Sequence, residues 1–204
     1  MSPHTSSPPT AHLAPLVVAA ARGILPDWAV AGPRRREHMA RVADLLDTWA
    51  EVRGLPDRDR ARWRAAGYLH DALRDERPEV LRGVVPGWAR DYGDAVLHGP
   101  AAAARLRADG IDDAELLEAI EVHTLGGLGL RPLARALYVA DYLEPGRGYL
   151  GESHAGLRAR MPGDPDGVLL EVVRERVRRG RESGRVVAPE TLAFLHELER
   201  ERGA

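Results

Sequence analysis

Six residues spread along the chain have side chains that could bind a transition metal. They are His38, His70, Asp71, His98, His123 and Asp141. Imidazole nitrogens and carboxylate oxygens suit first-row transition metals in open, reactive sites. His70 and Asp71 are adjacent, and neighbouring residues on a helix point about 100° apart. The pair therefore needs ligands from other segments, and the sequence predicts a metal site assembled from several helices.

The six candidates fit two metal ions better than one, with the carboxylate of Asp71 as a bridge. The remaining ligands divide into His38, His70 and Asp141 for one ion, and His98 and His123 for the other. Two ions roughly 3.5–4 Å apart favour in-line attack of hydroxide on phosphorus, because both absorb charge from the phosphoryl oxygens. Nitrogen and oxygen ligands with open coordination positions favour iron, manganese or cobalt over structural zinc.

Each candidate ligand also has a purely structural interpretation. Asp141 is the only acid in the apolar segment 132–143, and its carboxylate needs either a metal or an ion pair with Arg135 or Arg147. A single histidine on a helix is most often a surface or core residue, so the four candidate histidines gain weight only as a set. The remaining histidines are interpreted as having no metal role: His4, His12, His154 and His196.

Composition excludes several classes of function. The chain has 204 residues and a formal net charge of -2, which gives no broad positive field for nucleic acid or membranes. It contains no cysteine and no lysine, so thiolate ligands, disulfides and Schiff-base chemistry are excluded. No apolar run reaches the ~18 residues of a membrane span. We therefore expect a cytoplasmic protein with a small-molecule substrate, and a homodimer as the default assembly.

The apolar spacing predicts an all-α fold, and no series of strands is evident. We expect a disordered Ser/Pro-rich tail over 1–12, without the features of a signal peptide, and one helical domain over 13–204. Helices are predicted over 13–22, 34–53, 58–73, 92–108, 113–123, 132–143, 165–179 and 189–200. The alternating Arg and Glu residues of the last two helices are interpreted as solvated faces.

Several residues near the candidate ligands could bind phosphate. The glycine-rich loop 124–129 offers the hydroxyl of Thr124 and backbone N–H groups, although it could equally be an ordinary connection between helices. Arg35 lies one turn before the first candidate histidine, where it could also begin a solvated helix. Glu144 and Arg147 follow the apolar segment, and a mutual surface salt bridge is the alternative for them.

Five stretches of the sequence resemble one known family. They are RREH at 35–38, YLHD at 68–71, LHGP at 97–100, EAIEVHTLG at 118–126 and YVADYLEPGR at 138–147. Together they resemble the HD-domain metal-dependent phosphohydrolases, and most closely the YqeK-type symmetrical bis(5'-nucleosyl)-tetraphosphatases. The His-Asp doublet alone is weakly specific, whereas the last two stretches together are strongly so. The resemblance runs over nearly the whole chain.

The resemblance implies an HD-domain helical bundle with the C-terminal helices packed on it. It also implies an iron- or cobalt-dependent enzyme that splits diadenosine tetraphosphate at its centre into two ADP by metal-hydroxide attack. All six candidates match the family's metal ligands. Arg74 stands where the family usually has a phosphate-facing lysine, and Asp71 and Arg74 are the expected catalytic residues. The expected substrate contacts are Arg35, Arg74, Thr124, Gly126, Glu144 and Arg147.

Two other functions remain open at this point. One is an HD phosphohydrolase acting on another nucleotide, such as a nucleoside monophosphate, a cyclic dinucleotide or an alarmone. The second is a non-catalytic sensor or scaffold that binds nucleotide or metal. The signature over 124–147 favours the dinucleoside polyphosphate, and the presence of all six ligands disfavours the scaffold.

Overall fold

The computed structural model describes residues 13–147 and 152–203, and the chain is all-helical within them. The helices are α1 (Pro15–Ala21), α2 (Pro33–Val52), α3 (Asp57–Leu69), α4 (Pro78–Val84), α5 (His98–Ala108), α6 (Ala114–Val122), α7 (Pro132–Leu143), α8 (Glu152–Arg160), α9 (Pro165–Glu182) and α10 (Pro189–Gly203). A 3₁₀ turn covers Gly87–Ala89, and no strand occurs in the two described ranges. The predicted all-α class is therefore confirmed.

The predicted disordered tail over 1–12 lies outside the described residues. A single domain over 13–204 stays a prediction. Within the described ranges, no helix combines the length and the apolar character that a membrane span requires.

Local sequence signals explain where most helices begin. Six helices start with proline, whose missing N–H is not needed in the first turn. These prolines are Pro15, Pro33, Pro78, Pro132, Pro165 and Pro189. The carboxylates of Asp113 and Asp164 accept backbone N–H groups at the starts of α6 and α9. The helix boundaries in these places follow from short-range chemistry.

Four elements differ from the sequence prediction. The helix predicted over 58–73 ends at Leu69, so His70 and Asp71 follow it in a turn. The helix predicted over 92–108 begins only as α5, because Arg82 of α4 holds the preceding segment in a turn. Its guanidinium donates to the carbonyl oxygens of Arg90 at 2.5 Å and Tyr92 at 3.3 Å, and to the carboxylate of Asp94 at 2.6 Å. The short helices α4 and α8 were not predicted, since each is too short to show a clear apolar period.

The central helix is α7, in agreement with the prediction of a buried helix over 132–143. Nine of its 12 residues are buried, and it contacts α2, α3, α6, α8 and α9. Helices α2 and α3 also pack closely, because a Cβ atom at Gly67 would collide with the backbone of Ala43. This close contact brings the last turn of α3 against the third turn of α2, the turn that follows His38.

The fold brings several helix ends to one place. His70 follows the last residue of α3, His98 is the first residue of α5, and His123 follows the last residue of α6. His38 lies in the second turn of α2, and Asp141 lies in the last turn of α7. Side chains at converging helix ends can reach a shared point that no single helix could surround.

Candidate metal centre

The six candidate ligands lie in one cluster despite their distance in sequence. Five of them are buried: His38, His70, Asp71, His98 and His123. The side chain of Asp141 is 14% exposed and faces the same cluster. Asp71 stands between two groups of donors, because each of its carboxylate oxygens faces a different pair of histidines. The predicted shared carboxylate therefore occupies a position from which it can contact two ions.

The first group of donors surrounds Oδ2 of Asp71. This oxygen lies 3.6 Å from Nε2 of His38 and 3.5 Å from Nε2 of His70. Oδ1 of Asp141 lies 3.1 Å from Nε2 of His38 and 4.0 Å from Nε2 of His70. Two imidazole nitrogens and two carboxylate oxygens thus point at one small volume, as the sequence predicted for one ion.

The second group surrounds Oδ1 of Asp71. This oxygen lies 3.0 Å from Nε2 of His98 and 3.7 Å from Nε2 of His123. The two Nε2 atoms are 3.0 Å apart, and the hydroxyl oxygen of Thr124 is 3.2 Å from Nε2 of His123. The second pair of predicted ligands is therefore assembled next to a hydroxyl that could contact substrate.

Three of the four imidazole rings are oriented by a hydrogen bond at Nδ1. The pairs are His70 with the carbonyl oxygen of Gly67 at 2.8 Å, His123 with the carbonyl oxygen of Ile120 at 2.8 Å, and His38 with Oε1 of Glu144 at 3.1 Å. A proton on Nδ1 leaves the lone pair of Nε2 free to bind a metal. Nε2 of His70 is buried without a hydrogen-bond partner among the described residues, as expected of a metal ligand.

Burial and neighbouring charges set protonation states that suit metal binding. Burial lowers the pKa of His70, His98 and His123, in the last case to about 4, so these rings are neutral near pH 7. Burial would raise the pKa of Asp71 and Asp141, but hydrogen bonds with His98 and His38 and neighbouring positive charge, including that of Arg147, hold the pKa of both well below the usual range. Neutral imidazoles and ionised carboxylates are the forms in which these groups bind metals.

His38 has the opposite behaviour. Burial lowers its pKa, but hydrogen bonds with Asp141 and Glu144 raise the pKa to about 9. The proton on His38 offsets part of the negative charge of the surrounding carboxylates. A bound cation would supply that positive charge instead, and the proton would leave as the metal binds. The donor set and its charge therefore fit a divalent transition metal.

Three of the predicted arginines lie around the cluster. Nη1 of Arg35 donates to Oδ2 of Asp71 at 2.6 Å. Arg147 donates from Nε to the carbonyl oxygen of Asp141 at 2.8 Å and from Nη2 to its Oδ1 at 2.6 Å. Arg74 is half-buried, and its charge contributes to the lowered pKa of His98. Positive charge therefore adjoins both groups of donors.

Glu144 was expected to contact substrate, and that contact stays a prediction. It lines a cleft together with Arg35 and His38, but it is 2% exposed and its carboxylate already accepts hydrogen bonds from protein donors. It binds Nδ1 of His38, Nε of Arg41 at 2.6 Å and the backbone N–H of Gly146 at 2.6 Å. Glu144 therefore orients a candidate ligand.

Gly126 also has a structural explanation. Its φ is 73°, and a Cβ atom there would collide with the ring of Phe194. The N–H groups of Leu125 and Gly126 both donate to the carbonyl oxygen of Val122, and that of Gly129 donates to Glu197. These three backbone donors are occupied by the protein, whereas Thr124 lines a cleft beside the cluster.

Two clefts adjoin the cluster. The first, which we call the α2 cleft, has a volume of about 590 Å³ and is lined by Arg35, His38 and other residues near the start of α2. The second, which we call the α9 cleft, has a volume of about 550 Å³ and is lined by Thr124, Asp141 and residues of α9 and the α9–α10 connection. Arg147 lines both clefts. A molecule that spans the cluster could therefore occupy both.

Sequence analysis missed three features of this region. Arg41, which binds Glu144, lies one turn after His38, and that spacing could have revealed it. Arg176 of α9 lines the α9 cleft, although it was interpreted as part of a solvated face. His154 was interpreted as having no metal role, and its burial in α8, with Nε2 2.9 Å from the carboxylate of Glu175, was not anticipated. The last two features depend on packing between helices.

Comparison with known proteins gives matches over most of the chain. The HD domain family matches residues 35–146. A Staphylococcus aureus protein named bis(5'-nucleosyl)-tetraphosphatase, symmetrical, is 31% identical over 71% of this chain and 76% of its own length. A Halalkalibacterium halodurans protein of the same name is 25% identical over 81% of this chain and 91% of its own length.

A solved structure gives the same result at the level of the fold. It is a Clostridium acetobutylicum protein described as an HD superfamily hydrolase involved in NAD metabolism. Its TM-score is 0.75 with 24% sequence identity, and the alignment covers 89% of this chain and 96% of that chain. The chain therefore belongs to the HD domain family, among the relatives named symmetrical bis(5'-nucleosyl)-tetraphosphatase.

Proposed function

We propose that this protein hydrolyses diadenosine tetraphosphate at its centre and releases two ADP. The observation that carries the proposal is the position of Asp71 between two pairs of histidines, with Arg35 and Arg147 contacting the carboxylates of the first group. In this reaction an oxygen from water bonds to one β-phosphorus, and the bond from that phosphorus to the central bridging oxygen breaks. The second ADP leaves with that oxygen. The name of the relatives describes this symmetrical cleavage.

We assign two metal ions to the cluster, with iron as the metal and cobalt or manganese as alternatives. One ion would be held by His38, His70, Asp71 and Asp141, and the other by Asp71, His98 and His123. When bound, such ions lower the pKa of water and withdraw charge from phosphoryl oxygens. Asp71 is the residue common to both sets, so we assign it a catalytic role.

The protein's own cations and hydroxyl would bind the polyphosphate. Arg35 and Arg147 each contact a candidate carboxylate ligand, which puts their guanidinium charge close to a phosphate held there. Arg74 adds charge near His98, and its position suits the phosphate-facing role. The hydroxyl of Thr124 would donate to a phosphoryl oxygen. Positive charge fixed in advance stabilises the negative charge that develops on the phosphoryl group.

The compartment and assembly follow the same proposal. We propose a cytoplasmic protein, because the assigned substrate is a nucleotide. We propose no membrane or nucleic-acid partner, since many arginines are in ion pairs with carboxylates across the surface and the net charge is -2. A homodimer stays a prediction, to be measured by light scattering.

The test is to identify products by chromatography after incubation of the iron-loaded protein with diadenosine tetraphosphate. Two ADP as the sole products would support symmetrical cleavage. ATP with AMP would overturn the position of attack, and no turnover with iron, cobalt or manganese would overturn the function. The same chromatogram run with a nucleoside monophosphate or a cyclic dinucleotide distinguishes the other phosphohydrolase activities.

A further inference from the structure

The α9 cleft contains a set of arginines that sequence analysis did not connect with the site. Four arginines line it: Arg147, Arg176, Arg179 and Arg185. Arg147 contacts Asp141, and Arg179 contacts Glu175 at 2.7 Å. For Arg176 and Arg185, no carboxylate lies at ion-pairing distance among the side chains that the structure describes. The cleft therefore has an excess of positive charge beside the candidate metal ligands.

Arg176 is held in place by the protein rather than extended into solvent. Its Nη2 donates to the carbonyl oxygen of Thr124 at 2.9 Å, and its guanidinium carbon lies 4.5 Å from the ring centroid of Tyr138 and 5.7 Å from that of Tyr142. Aromatic rings and one carbonyl do not neutralise its charge. The remaining N–H groups stay available for an anion, and the fixed orientation reduces the entropy lost on binding one.

The other wall of the α9 cleft is apolar. Val186 and Val187 line it in the connection between α9 and α10, and Val186 is 97% exposed. An exposed apolar side chain next to arginines is suited to a ligand with a planar apolar part and an anionic part. A nucleoside diphosphate has both.

We propose that the α9 cleft binds one nucleoside diphosphate half of the substrate, with Arg176 and Arg185 binding its phosphates, while the α2 cleft binds the other half. This inference rests on the proposed function. A symmetrical substrate has two identical halves, and a central phosphorus at the cluster directs them into different clefts. The two cleft volumes, about 590 and 550 Å³, are similar, and Arg147 lines both where the halves would meet.

The first test counts ADP sites by isothermal titration calorimetry on the metal-loaded protein. We expect two ADP molecules per chain for the unaltered protein. Arg176→Leu and Arg185→Ala should each lose one of the two sites or weaken it roughly tenfold or more, the cost of a lost charged hydrogen bond. Arg178→Ala is the matched control, because this arginine is on the same helix but pairs with Glu182 away from the cleft.

The second test measures KM and kcat for diadenosine tetraphosphate with the same variants. We expect a higher KM for Arg176→Leu and Arg185→Ala, and unchanged values for Arg178→Ala. Arg185 is exposed, so its replacement tests the cleft even if Arg176→Leu fails to fold. A single ADP site in the unaltered protein, or two sites unchanged in both cleft variants, would overturn the inference. Both of these outcomes are measured as ADP binding and need no turnover. Failure of the proposed function would instead be recognised from the products of diadenosine tetraphosphate.

Discussion

Glu144 gives the sharpest test of how this centre is assembled, because its carboxylate is occupied by protein donors, one of which is a candidate metal ligand. Its Oε1 accepts from Nδ1 of His38, while its Oε2 accepts from Nε of Arg41 and the N–H of Gly146. Glu144→Gln leaves only one side-chain oxygen. If that oxygen keeps its two donors, the new amide NH₂ faces Nδ1 of His38.

The amide then reverses the hydrogen bond and with it the tautomer. Nδ1 of His38 becomes the acceptor, and the proton moves to Nε2, which removes the lone pair directed at the cluster. Loss of such a supporting hydrogen bond typically weakens metal binding by about 10–100-fold, or roughly 1.4–2.7 kcal/mol. We expect a loss in this range, confined to the ion bound by His38.

The measurement is the affinity for cobalt(II), obtained by competition with a chelator at pH 7.5. Glu121→Gln is the matched control, because Glu121 pairs with Arg107 away from the cluster. Thermal unfolding without metal shows whether the variant is folded. A metal affinity of folded Glu144→Gln equal to that of the control would refute the assigned role of this carboxylate in orienting His38.

Three further predictions address the bridge, the loop and the capping aspartate. Asp71→Asn should lose both ions, measured as metal content per chain after desalting, and retention of one ion at full occupancy would contradict the shared position. Gly126→Ala should reduce the free energy of unfolding in urea for two reasons. The positive φ should cost about 1–2 kcal/mol, and the collision of the new methyl group with the ring of Phe194 should cost about 1–3 kcal/mol more. Gly129 has a φ of 64°, and a Cβ atom placed there would have no atom within 4 Å, so Gly129→Ala should show only the cost of the positive φ. Equal losses of unfolding free energy in the two variants would contradict the packing argument. Burial raises the pKa of Asp113, but its partner Arg62 and backbone N–H donors lower that pKa below the usual value. The ionised carboxylate therefore stabilises the folded protein above about pH 3.9, and this contribution is lost as the pH falls through the folded pKa. Asp113→Asn should therefore flatten the decline of stability below about pH 4, measured by urea unfolding, whereas the exposed Asp112→Asn should not.

The amino-acid sequence by itself determined the class of this protein and the candidate chemistry. Proline and aspartate at helix starts act within one turn, so they define helix boundaries without tertiary information. The order of histidines and aspartates predicted the HD domain family, which the comparisons confirm. The residue types alone predicted imidazole and carboxylate ligands, because no cysteine was available.

Only the tertiary structure decided how these residues face each other. The orientation of Asp71, with one oxygen toward each pair of histidines, depends on the convergence of three helix ends. The burial of Glu144 against His38 depends on contact between α2 and the end of α7. The position of Arg176 in the α9 cleft depends on how α9 packs on α7, and a periodic pattern of charges cannot distinguish it from a solvated arginine. Side-chain type and spacing are local properties, whereas the shared point at which side chains meet is set by packing between segments more than 100 residues apart.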